Sequence, residues 1–198
     1  MKPVGLLPLC LAVIALLGCG CRTAAPGYRK LSESEAALHA PTGLAFPSQV
    51  GQFQRTFAQQ KLDDPARLRV CYGHLRRSAP AHLIIVTVEP SSVSPSETLA
   101  SRKRSFVDAH ADAVVTPPPS RAQTAAFQDW QTVIFDYSGF VADFPPPMRH
   151  QPQRMLYAAR TYAGHTLFLE SNSFDPSFGP VFVEAVDKLV RDLFPAKP

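Results

Sequence analysis

Beyond its N-terminal segment the chain has no long hydrophobic run, which excludes a multi-span membrane protein. Cysteine is scarce: four in 198 residues are too few for a fold built on disulfides. Charge is scarce too. Only 18% of residues are charged against 45% hydrophobic, so the chain is not disordered along its whole length. A net charge of +4 is too mild to argue for nucleic acid as a partner. There is no His-Glu-x-x-His, no Gly-x-Ser-x-Gly, no phosphate-cradling glycine loop, and no Cys-x-x-Cys partner for Cys71. Accordingly we expect no cofactor and no enzymatic activity, and nominate no catalytic residue. What is plentiful is proline, 20 in all, which cuts the chain into short elements. The length suits one domain.

The N-terminus is the most specific part. Lys2 supplies a positive start, and Val4 to Leu17 is apolar except at Gly5, Pro8 and Cys10. The run is shorter than the ~20 residues a helix needs to cross a bilayer, and no stop-transfer charges follow. It therefore reads as a cleaved export signal. Its end, Leu16-Leu17-Gly18-Cys19, resembles the lipobox of bacterial lipoproteins, with an aliphatic residue at −3, a small residue at −1 and cysteine at +1. The resemblance covers about the first 20 residues. It implies diacylglycerol transfer to Cys19, cleavage before it, and acylation of the new amine. Each buried methylene contributes about 0.8 kcal/mol, so two or more chains make such an anchor stable. An ordinary secretory signal cut near Gly20 or Ala25 is the alternative. Cys21 is a weaker acceptor because no aliphatic residue stands three positions before it. Position +2 is Gly20 rather than the Asp that resembles an inner-membrane retention signal in enteric bacteria, so the resemblance implies the outer membrane by default.

The expected organisation is a signal peptide over 1–18, a lipidated cysteine with a flexible tether over 19–43, and one folded domain over 44–195. Cleavage removes only Lys2 among the charged residues, so the balance falls from +4 to +3. Cys21 and Cys71 either pair, or Cys71 is simply a buried strand residue; the second is preferred.

Within the domain, alternation predicts strands over 52–59 (with Phe53, Arg55 and Phe57 on one face), 67–75 (with Leu68, Val70 and Tyr72 on one face) and 82–89. The last is nearly all apolar, which suits a central strand covered on both sides. Ser94-Pro95-Ser96-Glu97 is a capping box with proline at the first helical position, and predicts a helix to about Ala113. Further strands are expected over 130–137, 156–162 and 166–174, the last two joined at Ala163-Gly164-His165. A final helix opens at Asp175-Pro176 or Gly179-Pro180, with Phe182, Val186, Leu189, Val190 and Leu193 as its apolar stripe. The order βββ-α-βββ-α predicts an α+β fold, an antiparallel sheet of about six strands covered by two helices. Phe46-Pro47, Val50-Gly51-Gln52-Phe53 and the late hairpin feeding a C-terminal helix together resemble uncharacterised bacterial lipoproteins of α/β-sandwich type. More distantly, the element order is similar to the Mog1/PsbP-like fold. That resemblance implies binding or assembly rather than catalysis.

His74 and His82 fall opposite each other across a hairpin, but two ligands do not close a metal site. Asp108, His110 and Asp112 are close in sequence, yet helical geometry spreads them around the axis. Tyr137-Ser138-Gly139 lacks the first glycine of a nucleophile elbow. Glu170 faces solvent or a groove. Arg76-Arg77, Arg102-Lys103-Arg104, and Arg149-His150 with Arg154 are basic clusters suited to anionic lipid or glycan, or to ordinary solvation. Trp130, Phe140 and Phe144 either line a groove or pack in the core. The expected function is a membrane-anchored envelope lipoprotein with a non-catalytic binding or scaffolding domain and an envelope protein as partner. The alternatives are a small-molecule or lipid carrier, and an envelope hydrolase whose site is assembled from scattered residues.

Overall fold

The computed structural model describes residues 26–31, 37–51, 53–76, 79–90, 92, 94–116, 127, 129–140, 150–173 and 190–194. Two antiparallel meanders make the architecture. The first comprises β1 (Tyr28–Lys30), β4 (Gln49–Val50), β5 (Phe53–Lys61), β6 (Leu68–Arg76) and β7 (Ala79–Pro90). The second comprises β8 (Val114–Thr116), β9 (Gln131–Phe140), β10 (His150–Tyr162) and β11 (His165–Ser173). They join where β7 pairs with β11, giving a nine-stranded sheet in the order β1-β5-β6-β7-β11-β10-β9-β8, with β4 also on β5. Strands β2 (Ala37–His39) and β3 (Leu44–Phe46) form a separate hairpin.

Helix α1 (Pro95–Ala109) carries the chain from the middle of the sheet to its β8 edge and packs across β9, β10 and β11. Its start is the expected capping box: the Ser94 hydroxyl accepts from the Glu97 amide at 3.3 Å, and the Ser94 amide donates to Glu97 Oε2 at 3.0 Å. Hydrogen bonds hold the Glu97 carboxyl below its ordinary range. The helix stops four residues earlier than expected, because Val114-Val115-Thr116 is a β-branched run that pairs with β9 instead.

Both sheet faces are covered. One carries the main core: Leu68, Val70 and Tyr72 of β6, Ile84, Val86 and Val88 of β7, and Leu167 and Leu169 of β11, capped by the β2–β3 hairpin, Trp130 and Phe194. The other, under α1, gathers Phe106, Phe135, Tyr137, Met155, Tyr157 and Phe168. The apolar strand around 82–89 is indeed central, flanked by β6 and β11.

Several expectations need correction. The antiparallel sheet is as expected, but it has nine strands rather than six, with a two-stranded sheet beside it. One long helix is described rather than two. Of the expected final helix only 190–193 is described as helical, with Val190 and Leu193 buried in the main core; its remainder lies outside the described residues. Two stretches of the expected tether, 28–30 and 37–39, are strands. Both are too short for periodicity to reveal: the first is held by β5, distant in sequence, with the Leu62 amide donating to the Gly27 carbonyl, and the second by β3 across a tight hairpin. Strand β10 begins six residues earlier than expected, because Pro152 disguises its first half. In β5 a bulge between Arg55 and Phe57 reverses the alternation. Phe53 and Arg55 stay on the main-core side, where Arg55 Nη1 donates to the Phe46 carbonyl at 2.6 Å, while Phe57 turns to the opposite face.

Candidate functional site

Beneath the C-terminal half of α1 the sheet presents a buried polar cluster. The register sets Tyr137 of β9 opposite Gln153 of β10, with Asn172 of β11 one strand further, opposite Met155. The Tyr137 hydroxyl donates to Gln153 Oε1 at 2.7 Å, and Asn172 Nδ2 donates to the Tyr137 hydroxyl at 3.1 Å and to Gln153 Oε1 at 3.3 Å. Two atoms of the trio, Gln153 Nε2 and Asn172 Oδ1, are buried without a partner. Gly139 makes the room, since a Cβ there would overlap the Gln153 amide. Burial pushes the Tyr137 phenol up to about 12, with Glu170 and Asp112 adding to the shift and Asn172 opposing it. Tyr157 is raised for the same leading reason. Both phenols are neutral at physiological pH. Glu170 lies half-buried on this face, one register step from Phe168.

A second cluster closes the main-core side. The Arg160 guanidinium sits over three rings: Trp130 at 4.7 Å, Phe194 at 5.2 Å and Tyr162 at 5.4 Å. Burial lowers Arg160 from the ordinary guanidinium value, with Asp129 pulling it back. Arg160 Nε and Trp130 Nε1 are both buried without partners.

A third cluster ties the β2–β3 hairpin to two turns. Buried His39 has Nε2 2.6 Å from the Ala66 carbonyl and Nδ1 2.7 Å from the Thr42 hydroxyl. Its ring meets His165 edge-on at 5.1 Å. Burial lowers the His39 pKa, with His165 acting in the same direction and the Ala66 bond and Asp64 opposing.

The expected site residues fall differently. Leu16, Leu17, Gly18 and Cys19 lie outside the described residues, as do Cys21, Phe144 and Arg149. His74 and His82 are directly opposite in register, as expected. His110 stacks on Phe106 and Tyr137, and burial lowers its pKa. Asp112 accepts the Ser138 amide at 2.6 Å, and its charge opposes the lowering at His110. Among the described residues no three potential ligands gather into a metal site. Arg154 is held by Asp136 through two bonds of 2.7 and 2.9 Å. Trp130 packs in the core and Cys71 is buried in β6. Reasoning from sequence missed the Tyr137–Gln153–Asn172 trio. Its one visible signal was Gly139, since glycine inside a strand marks a close approach. No protein-family model and no curated protein matches the chain. Among the described residues no helix is long and apolar enough to cross a membrane.

Proposed function

We propose that this chain is a lipid-anchored protein of the bacterial cell envelope whose folded lobe binds or scaffolds another envelope component and catalyses nothing. The observation carrying the proposal is Leu16-Leu17-Gly18-Cys19 at the end of a short apolar run. The way the folded lobe uses its reactive groups supports the non-catalytic half. His39 has both ring nitrogens engaged, His110 is stacked between rings, Tyr137 is bonded on both sides, and Arg154 is clamped by Asp136. Each of these groups serves the architecture. The anchor faces the periplasm, with the outer membrane favoured because Gly20 follows the cysteine. A small-molecule carrier is the second reading. It is favoured by the two unpartnered amide atoms under α1, one a donor and one an acceptor.

Growing cells fed a clickable palmitate test the anchor. The wild-type chain takes up label and Cys19→Ser does not. Equal labelling of the two would refute it.

A further inference from the structure

Strand β10 sends Leu156 and Ala158 into the main core, so Arg160 follows on the same face, just beyond the point where β9 begins at Gln131. Trp130 immediately precedes β9, and its ring lies 5.6 Å from that of Phe194. Three rings, Trp130, Phe194 and Tyr162, turn their faces to the Arg160 guanidinium. Ring faces offset part of the hydration that a buried cation loses, but they offer its N–H groups no lone pair. Arg160 Nε is accordingly buried without a partner, and among the described residues no carboxylate lies within ion-pair distance of Arg160. Asp129 attracts the cation but is exposed and does not bond it. The indole Nε1 of Trp130, a residue only 6% exposed, is a second unpartnered donor. The two donors belong to one contact, with 4.7 Å between Arg160 Cζ and the Trp130 ring centre. Unlike the amide trio, whose two unpartnered atoms are one donor and one acceptor, this pair offers donors alone, and one of them is charged. Buried donors without acceptors are rare and costly.

We propose that Arg160 and the Trp130 indole together bind a carboxylate group carried by a ligand of the folded lobe. Donors alone call for an acceptor, and a guanidinium calls for an anionic one. Its planar fork of N–H groups matches the two oxygens of a carboxylate, and those two oxygens can serve two donors that do not coincide. One guanidinium also balances one carboxylate charge. A phosphate monoester, with a charge of about −1.5 to −2, would exceed that balance and lie close to the Asp129 carboxylate. The position suits a ligand that arrives from solvent. Arg160 and Tyr162 are half-buried and Thr161 and Asp129 exposed, so the cluster stands at the rim of the lobe. The ring of Tyr162 gives the remainder of the ligand an apolar surface there. The inference stands on the lobe alone, and the anchor at Cys19 plays no part in it.

Because Trp130 is the chain's one tryptophan, the full-length protein has a single indole N–H resonance. That resonance is followed in nitrogen–proton correlation spectra while hexanoate, hexylammonium or inorganic phosphate is added at constant ionic strength. Hexanoate should move it downfield and saturably as the indole gains an oxygen acceptor, with half-saturation at millimolar concentration or below. Arg160→Met should weaken that affinity about tenfold or more, through loss of a charge-assisted hydrogen bond. Asp129→Asn changes an exposed side chain and should tighten the affinity about threefold by removing a competing charge. It reads the charge of the site even if the Met variant fails to fold. No saturable shift with hexanoate, or an equal shift with hexylammonium, would overturn the proposal. So would an affinity unchanged in Asp129→Asn or in folded Arg160→Met. Tighter binding of phosphate than of hexanoate would overturn the carboxylate assignment. Palmitate labelling at Cys19 does not involve these residues, so failure here leaves the anchor standing and failure of the anchor leaves this site standing.

Discussion

Gly139→Ala is the sharpest probe of the buried trio. The glycine needs no unusual backbone at this site; it is there because the Gln153 amide occupies the space where a side chain would begin. Adding a methyl forces Gln153 to swing away. That removes the acceptor of the Tyr137 hydroxyl at 2.7 Å and the 3.3 Å bond from Asn172. Overpacking a filled core costs about 1–3 kcal/mol, and a buried hydroxyl left without its acceptor costs a further 1–3 kcal/mol. The gain from replacing glycine in a strand offsets up to about 1 kcal/mol. A net loss of about 1–5 kcal/mol is expected, read from urea unfolding midpoints at constant slope. Gln153→Ala opens the space, so the double variant should lose less than the sum of the singles, by about 1 kcal/mol or more. A Gly139→Ala change within 0.5 kcal/mol of wild type, or strict additivity in the cycle, would refute the overlap.

Two further expectations concern other clusters. Burial depresses the His39 pKa below its unfolded value of about 6.5, so the unfolded chain binds a proton that the fold refuses. Stability is therefore fully present above about pH 6.5 and is lost as pH falls through the depressed value. His110 carries the same sign. The unfolding midpoint should drop between pH 7.5 and pH 5, and drop less in His39→Gln; an identical drop in both proteins would remove His39 from the account. Arg160→Ala leaves three rings facing a void and should cost about 2–4 kcal/mol. Arg160→Met fills the space, removes the unpartnered Nε, and should cost under about 1 kcal/mol. Because Trp130 is the chain's one tryptophan, its emission reports both changes directly; equal losses in the two variants would refute the packing argument.

Sequence alone determined whatever depends on neighbours along the chain. The run ending at Cys19, the Ser94–Glu97 cap, and the Ala163-Gly164 turn with both residues at positive φ are local, and a few residues contain their whole cause. So is the alternation of Leu68, Val70 and Tyr72, which marked one face of β6 before any fold was known. Tertiary structure decided everything that depends on which strand lies beside which. Strands β1, β2 and β8 are three residues each, too short for a periodic signal; β1 and β8 exist because distant partners saturate their backbone groups, and β2 because β3 folds back on it. The bulge after Arg55 inverted a pattern that the sequence presented as regular. Tyr137, Gln153 and Asn172 became one hydrogen-bonded group only because β10 pairs with both β9 and β11. Register is a long-range property: a slip of one residue in β10 would turn Gln153 to the opposite face, away from Tyr137 and Asn172, and no local composition fixes that choice.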